Sequence, residues 1–564
     1  MRIYFTKYFL SLFRLRTTRS LLPLSAALLL TGCAQIVPLS GGDKDVQAPG
    51  ALEFIPANRA LQVSTKTMLI EFDEYIQLRD LQSQLIVTPQ LKELPEVNVK
   101  GKSLAIHFKE ALQPNTTYYM NFGNAITDLH EGNAVKGFEY VFSTGPQIDT
   151  LMLRGKLTEA FTLLPVKDAF VLLYPNGTDS SVFKDKPAYL GKSESDGTYS
   201  VHYVKPGSYK IVALRDNNKN FVYDPGELIG FNAKDQFELA QNDTLNVELF
   251  REQSSGAFLK KVYSPYYGRA EFVFSGTLEE KVELFIKDRN GMLSAEKYKS
   301  RVRPGRDTLT LYYHDVFGDT LTAIVKHGES ADTTRLSVLS NEEVQRLKNK
   351  KRIPLELQAD FNAGVPQAYF RDPGFRINRM INKFDPSRIV LIEETDTLHG
   401  NKLKYRLTEP DSFFITDLKP EKSYQVFFYP GAFTDHLDIS NDTITYKFKT
   451  QAQDFYSTLT VNVAAPLDRM WVLQLYNSKG KLAGETAFDN LTSRNDGRES
   501  EKLSFYRLDP DTYTMKLIED KDGNRKFTTG NYFRKINPER VINYSLPVKL
   551  TSDWEMEIDW KVGN

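Results

Sequence analysis

Two separate motifs recur in this chain at nearly the same interval, and no other feature narrows its fold as much. Leu112-Gln113-Pro114-Asn115-Thr116-Thr117-Tyr118 returns as Leu418-Lys419-Pro420-Glu421-Lys422-Ser423-Tyr424. Pro206-x-x-Tyr209-x-Ile211-x-x-x-x-Asp216-x-Asn218-x-Asn220 returns without a gap as Pro510-x-x-Tyr513-x-Met515-x-x-x-x-Asp520-x-Asp522-x-Asn524. Lesser echoes keep the spacing: Ala125-Ile126-Thr127-Asp128 with Ala432-Phe433-Thr434-Asp435, and Tyr140-x-Phe142-x-Thr144 with Tyr446-x-Phe448-x-Thr450. Unrelated patterns that share an interval of about 305 residues imply tandem duplication of a two-module block.

The modules read as β. Met68-Leu69-Ile70-Glu71-Phe72, Leu104-Ala105-Ile106-His107-Phe108 and Tyr140-Val141-Phe142-Ser143-Thr144 are short β-rich or alternating runs separated by turns. Similar runs lie at 169–174, 198–204, 208–214, 282–286, 308–313 and 321–326. One short helix is expected after Ser340, with Glu343 completing a capping box, and its basic tail from Arg346 to Arg352 reads as a solvated connector. Leu112-x-Pro114-x-x-x-Tyr118 resembles the tyrosine corner of immunoglobulin-like and fibronectin-type sandwiches, where the phenol ties a corner to the backbone. With the Pro56-Ala57-Asn58 opening and the closing Phe142-Ser143-Thr144 strand, the segment is similar to the bacterial Ig-like domains of S-layer and cell-surface proteins. The shorter corner Val204-Lys205-Pro206-Gly207-Ser208-Tyr209 resembles small sandwiches of the transthyretin or carboxypeptidase-regulatory type. The expected fold is all-β, tandem β-sandwich modules with short helical connectors. The divisions are an Ig-like domain at 51–146, a small sandwich at 147–252, a middle β module at 253–345, a second Ig-like domain at 346–453 and a second small sandwich at 454–564. Strung in that order, they suggest a rigid rod.

The N-terminus places the chain. Arg2, Lys7, Arg14, Arg16 and Arg19 precede an apolar run from Leu21 to Leu30, and Leu30-Thr31-Gly32-Cys33 holds the only cysteine in 564 residues. A positive segment, a short apolar run and small residues at a cleavage point describe a signal peptide over 1–32, too short to span a bilayer. Leu30-Thr31-Gly32-Cys33 resembles the bacterial lipoprotein lipobox, which implies that Cys33 is diacylated and becomes the first mature residue. The competing reading is a buried free cysteine behind an ordinary signal. Two acyl chains suffice for stable anchoring. Residues 33–50 read as a flexible tether, in which Asp43-Lys44-Asp45 resembles acidic export signals of Bacteroidetes surface lipoproteins. With no other cysteine, the modules cannot depend on disulfides. Lysine plus arginine equals aspartate plus glutamate at 72 each, which argues against a nucleic-acid binder working through a general basic field.

The best ligand candidate runs from Asp216 to Glu227. Asp216, Asn218, Asn220, Asp224 and Glu227 fall at positions 1, 3, 5, 9 and 12, the spacing of an EF-hand calcium loop. Phe221 stands where that loop requires glycine, and the flanks read as strands, so an Asx-rich turn capping its own backbone ranks ahead of calcium. In the second copy Thr528 and Asn531 fall at the later positions, which weakens a calcium site there. The chain has no H-E-x-x-H, G-x-S-x-G or C-x-x-C, its seven histidines lack ligand spacing, and no catalytic residue is nominated. Tyr263-Ser264-Pro265-Tyr266-Tyr267 reads as packing of an inter-module seam ahead of a sugar-stacking patch. Asp-Thr before Leu, Ile or Thr marks Thr150, Thr244, Thr308, Thr320, Thr333, Thr397 and Thr443. These resemble the O-glycosylation sequon of Bacteroidetes exported proteins, though each also suits a turn aspartate followed by a strand-starting threonine.

The whole resembles the Ig-like-domain lipoproteins of Bacteroidetes. It implies a non-enzymatic outer-membrane lipoprotein, held to the membrane by its lipid and acting as a structural or interaction subunit beside an outer-membrane or envelope protein. Two alternatives make different demands. A glycan-binding surface lipoprotein needs exposed aromatics aligned on one face, and a hydrolase with accessory β domains needs a cleft of converging carboxylates or a metal.

Overall fold

A computed structural model describes residues 45–232, 234–252, 257–278, 282–302, 307–318, 320–327, 330–362, 364–399, 402–408, 410–466, 469–489 and 500–562. Cys33, the signal segment and most of the tether lie outside them. The regular structure of the described residues is almost wholly strand, in packed sheets. Alternation explains why. In the strand Ser103–His107, Leu104 and Ile106 are fully buried while His107 faces solvent, the period of a sheet with one face on a core.

In the first Ig-like module, strands Ala51–Ile55, Thr67–Phe72, Ser103–His107 and Glu96–Lys100 form one sheet. It packs on Ile86–Thr88, Thr117–Asn121 and Glu139–Ser143 around Ile70, Phe72, Ile106, Phe108, Tyr118 and Phe142. The second Ig-like module repeats this, with Asp396–His399, Ile389–Glu393, Ser423–Phe428 and Ile444–Lys449 as the corresponding sheet. The first small sandwich is one continuous sheet, because Val247–Arg251 pairs with both Leu151–Glu159 and Leu228–Phe231. Among the described residues the second small sandwich keeps two sheets apart, with Glu555–Lys561 at the edge of one. The middle module holds two four-stranded sheets and draws Val344, from the helix Asn341–Asn349, into its core. Ser340 caps that helix reciprocally with Glu343, as its sequence predicts.

The duplication is visible in hydrogen bonds. Tyr118 accepts the Gln113 N–H at 2.7 Å, and Tyr424 accepts the Lys419 N–H at 2.9 Å. In the small sandwiches the phenol instead donates, Tyr209 to the Lys205 carbonyl at 2.6 Å and Tyr513 to the Asp509 carbonyl at 2.7 Å. Backbone strain repeats too. Asn115 and Glu421, Tyr203 and Arg507, and Phe221 and Arg525 are three matched pairs that all have positive φ, between 52° and 62°. That conformation costs a non-glycine residue roughly 1–2 kcal/mol, so it persists only where the surrounding fold enforces it.

The rod does not form. The second small sandwich packs back on the first, which closes the middle of the chain into a loop. Linear order in sequence carried no information about that contact, because it is made by side chains rather than by strand pattern.

Candidate functional site

The two Asx loops follow the long central strands Gly207–Arg215 and Thr512–Asp520. Each starts with a buried aspartate that replaces missing strand partners. Asp216 accepts the N–H groups of Asn218 at 3.0 Å, Lys219 at 2.6 Å and Phe221 at 2.7 Å. Asp520 accepts those of Gly523 at 2.8 Å, Asn524 at 3.2 Å and Arg525 at 2.8 Å. Phe221 takes the left-handed backbone that glycine would supply in a calcium loop. A buried glutamate closes each frame. Glu227 accepts from Asn217 at 2.8 Å and Asp224 at 3.2 Å, and Glu539 accepts from Lys521 at 2.7 Å and Thr528 at 2.8 Å. Burial pushes both glutamates above the usual carboxylate range, and neighbouring aspartates add to it against the backbone N–H groups.

Glu539 is therefore the counterpart of Glu227, a role the sequence spacing assigned to Asn531. The signal was shifted by a longer loop. In the first loop Asn218 and Asn220 donate their amides to Asp224 at 2.7 and 3.1 Å, and all five residues of the predicted calcium set accept hydrogen bonds from within the loop. In the second, Asp520, Asp522 and Glu539 each offer an oxygen within 4.8 Å of the others, and these are the side chains that could hold a divalent cation.

The extra residues between Thr528 and Glu539 form a clasp onto the first sandwich. Thr529 donates to the Arg251 carbonyl at 2.8 Å, and the Tyr532 N–H reaches Glu252 at 2.6 Å. Glu252 also accepts from Tyr223 of the first Asx loop at 2.8 Å, so one carboxylate joins both loops. The Tyr532 ring is fully buried, edge-on to Phe231 at 5.6 Å, and Phe533 stacks on Phe183 at 4.7 Å. Lys535 pairs with Asp179, which also holds Lys210. A second patch adds Phe161 against Phe527 at 4.8 Å. The adjacent aromatics Tyr532-Phe533, inside a loop otherwise made for solvent, were the sequence signal for this contact.

Other seams join the remaining modules. Tyr119 meets Tyr203 and His202 at ring distances of 5.2 and 5.8 Å between the first two modules. Between the middle and second Ig-like modules, buried Asp411 accepts from Tyr312 and Arg301, both at 2.6 Å. His314 and His436 stack there at 3.6 Å, a pairing their sequence spacing did not suggest. Tyr266 lies 5.7 Å from the Arg379 guanidinium at the same seam, while Tyr263 is exposed. The Asp-Thr threonines sit at strand starts or on exposed strands. Thr150 and Thr443 precede strands; Thr244, Thr308, Thr320, Thr333 and Thr397 lie in them, and all but half-buried Thr308 are exposed.

With this geometry in place, the family model of a bacterial Ig-like domain matches residues 45–144, the first Ig-like module. No curated protein matches the chain. Among solved structures, the S-layer protein SbsC aligns over 86% of this chain and 67% of its own, at 12% identity and a TM-score of 0.14. The major pilin subunit BcpA of Bacillus cereus aligns over 73% of this chain and 99% of its own, at 10% identity and a TM-score of 0.13. A two-domain fibronectin type III segment of chicken tenascin aligns over 35% and 99%, at 12% identity and a TM-score of 0.12. Overlaps this loose carry no function across.

Proposed function

We propose that this chain is a non-enzymatic, lipid-anchored protein of the cell envelope that serves as a structural or interaction subunit. The Ig-like match and the tandem sandwiches support a structural, surface-type protein. One observation carries the reading further: the clasp from Thr529 to Lys535 commits the buried Tyr532 ring, a hydrogen bond and an ion pair to holding distant modules in a fixed relation. A molecule so invested presents surfaces rather than closing around a substrate. The lipobox resemblance supplies the anchor, Cys33, and with the Bacteroidetes-type lipoprotein pattern it gives the outer membrane as location.

Two features weigh against the alternatives. The exposed aromatics Tyr75, Phe258, Tyr263, Tyr405, Tyr429, Tyr506, Phe533 and Trp554 belong to four modules, not to one glycan-stacking row. The carboxylates that converge, Asp520, Asp522 and Glu539, spend their oxygens on backbone N–H groups and neighbouring side chains. Capture of the tagged protein in mild detergent, beside its Cys33→Ala form, tests the proposal. A stoichiometric outer-membrane partner retained only by the acylated form is expected. Recovery of the protein alone overturns it.

A further inference from the structure

The two Ig-like modules finish the same strand differently. In the first, residues 58–63 cover the outer edge of Glu139–Ser143. Arg59 donates to the Val141 carbonyl at 2.7 Å, the Val141 N–H reaches Asn58 at 3.0 Å, and Val63 donates to the Ser143 carbonyl at 3.0 Å. The counterpart strand, Ile444–Lys449, is covered only at its ends. Leu355 bridges to Asn441 and Gln367 to Thr450, while between them the chain leaves for the other sheet at Leu357–Ala359. Among the described residues, no backbone group serves the outer edge from Ile444 to Lys447. An opening of about 490 Å³ lies over the outer face of this sheet, floored by Ile392, Gln425 and Lys447 and rimmed by Gly364–Pro366. Val141 is buried in the first module, and its equivalent Lys447 is exposed.

A second edge lies in the sheet of the last strand. Among the described residues, Glu555–Lys561 pairs with Ser457–Ala464 on one side only. The two edges complement each other residue by residue. On Ile444–Lys449 the exposed positions are Thr445, Lys447 and Lys449, with Ile444, Tyr446 and Phe448 turned inward. On Glu555–Lys561 the exposed positions are Glu555, Glu557, Asp559 and Lys561, a net negative face, with Met556, Ile558 and Trp560 turned inward. Glu557 is turned toward its own sheet, where Asn462 and Lys502 bond it, which leaves Glu555 and Asp559 as the carboxylates without a lysine partner of their own sheet.

We propose that these edges pair between copies: the uncovered edge Ile444–Lys447 of one chain joins Glu555–Lys561 of a second chain in a continuous sheet. Such pairing sets lysines across from carboxylates and apolar residues beside apolar residues. Pairing of the first edge with its own copy sets lysines together, and antiparallel pairing of the second with its own copy sets Glu557 against Asp559, although Glu555 then meets Lys561. The charges therefore favour the mixed pairing over either self-pairing. The contact is heterologous, so it closes a ring or extends a chain of subunits. It rests on the structural-subunit reading above and names the partner as a second copy.

Sedimentation equilibrium of the unlipidated Cys33→Ala chain tests this. Reversible association is expected at low salt, weakening toward about 1 M salt as the screening length falls to about 3 Å. The pair Lys447→Glu and Lys449→Glu is expected to weaken association about tenfold or more, as is the pair Glu555→Lys and Glu557→Lys. Mixing the two reversed proteins is expected to restore it. All four positions are exposed, and unchanged thermal melts would show that the variants fold. A chain that stays monomeric at its highest soluble concentration, or associates regardless of both reversals, overturns the proposal. Detergent capture with the Lys447→Glu, Lys449→Glu protein separates the two claims. An envelope partner still retained leaves the subunit reading standing after the copy-to-copy contact has failed.

Discussion

Between Asp224 and Glu227 the first Asx loop is a tight turn, whereas between Thr528 and Glu539 the second runs out and returns carrying Tyr532 and Phe533. The hydrogen-bond frames on either side match in all but one bond, which Asn218 makes in the first loop and Asn524, the equivalent of Asn220, makes in the second. Only the segment between two fixed acceptors has grown, and that segment makes the contact between sandwiches. An insertion there is tolerated because the buried aspartate and glutamate already satisfy the backbone around it. The comparison teaches that the duplicated frame conserves local geometry while the novelty sits in a loop the frame leaves free.

Breaking the clasp has the largest expected effect. Tyr532→Ala removes a fully buried ring and is expected to cost the seam about 3–5 kcal/mol. Hydrogen exchange around Arg251 and Glu252 should then accelerate while the Tyr209 and Tyr513 corners stay protected. If protection at Glu252 is unchanged, the insertion is not what holds the sandwiches together.

The shared frame predicts a smaller, matched pair. Asp216→Ala and Asp520→Ala each strip three N–H groups of their acceptor, and each is expected to cost its own sandwich about 2–3 kcal/mol. The chain's three tryptophans, Trp471, Trp554 and Trp560, all lie in the second sandwich, so their fluorescence reads that module. The urea midpoint followed by tryptophan should fall for Asp520→Ala more than for Asp216→Ala. Equal shifts would mean the sandwiches unfold as one unit.

Calcium sharpens the same comparison. A cation at Asp520, Asp522 and Glu539 must compete with the hydrogen bonds those oxygens already accept, so any calcium binding seen by calorimetric titration is expected to be weak and to be lost on Asp522→Asn, which recreates Asn218 of the first loop. Binding that survives Asp522→Asn would place the ion elsewhere.

The smallest effect concerns pH at the seam of the middle and second Ig-like modules. Burial, then the adjacent His314, hold the His436 imidazole below its ordinary value, against Asp315 and Asp435. A histidine depressed on folding stabilises the fold above its unfolded value of 6.5, and that share is lost as pH falls through the lower folded value. Calorimetric melts should therefore lose stability on acidification below about 6.5, and His436→Gln should flatten the loss. An identical acid response in the variant would assign it to other groups.

Much of this fold was legible because its signals are local. The corners at Tyr118, Tyr209, Tyr424 and Tyr513 act within five residues, and the Ser340 cap within three, so fixed spacing reveals them. Phe221 was read as an obstacle to a loop conformation that it in fact adopts, held there by the Asp216 carboxylate. Glu539 was missed because an insertion broke the spacing. The stacked histidines and the Asp411 anchor were beyond sequence reach, since their partners come from different modules and no periodicity links them.

The clasp also sets how the molecule would carry load. Tension entering near residue 45 and leaving through the last strand need not travel through the middle and second Ig-like modules. It can cross directly from Arg251 and Glu252 to Thr529 and Tyr532. Those bypassed modules then carry none of the tension, and the molecule lengthens through them only after the seam between the sandwiches has sheared.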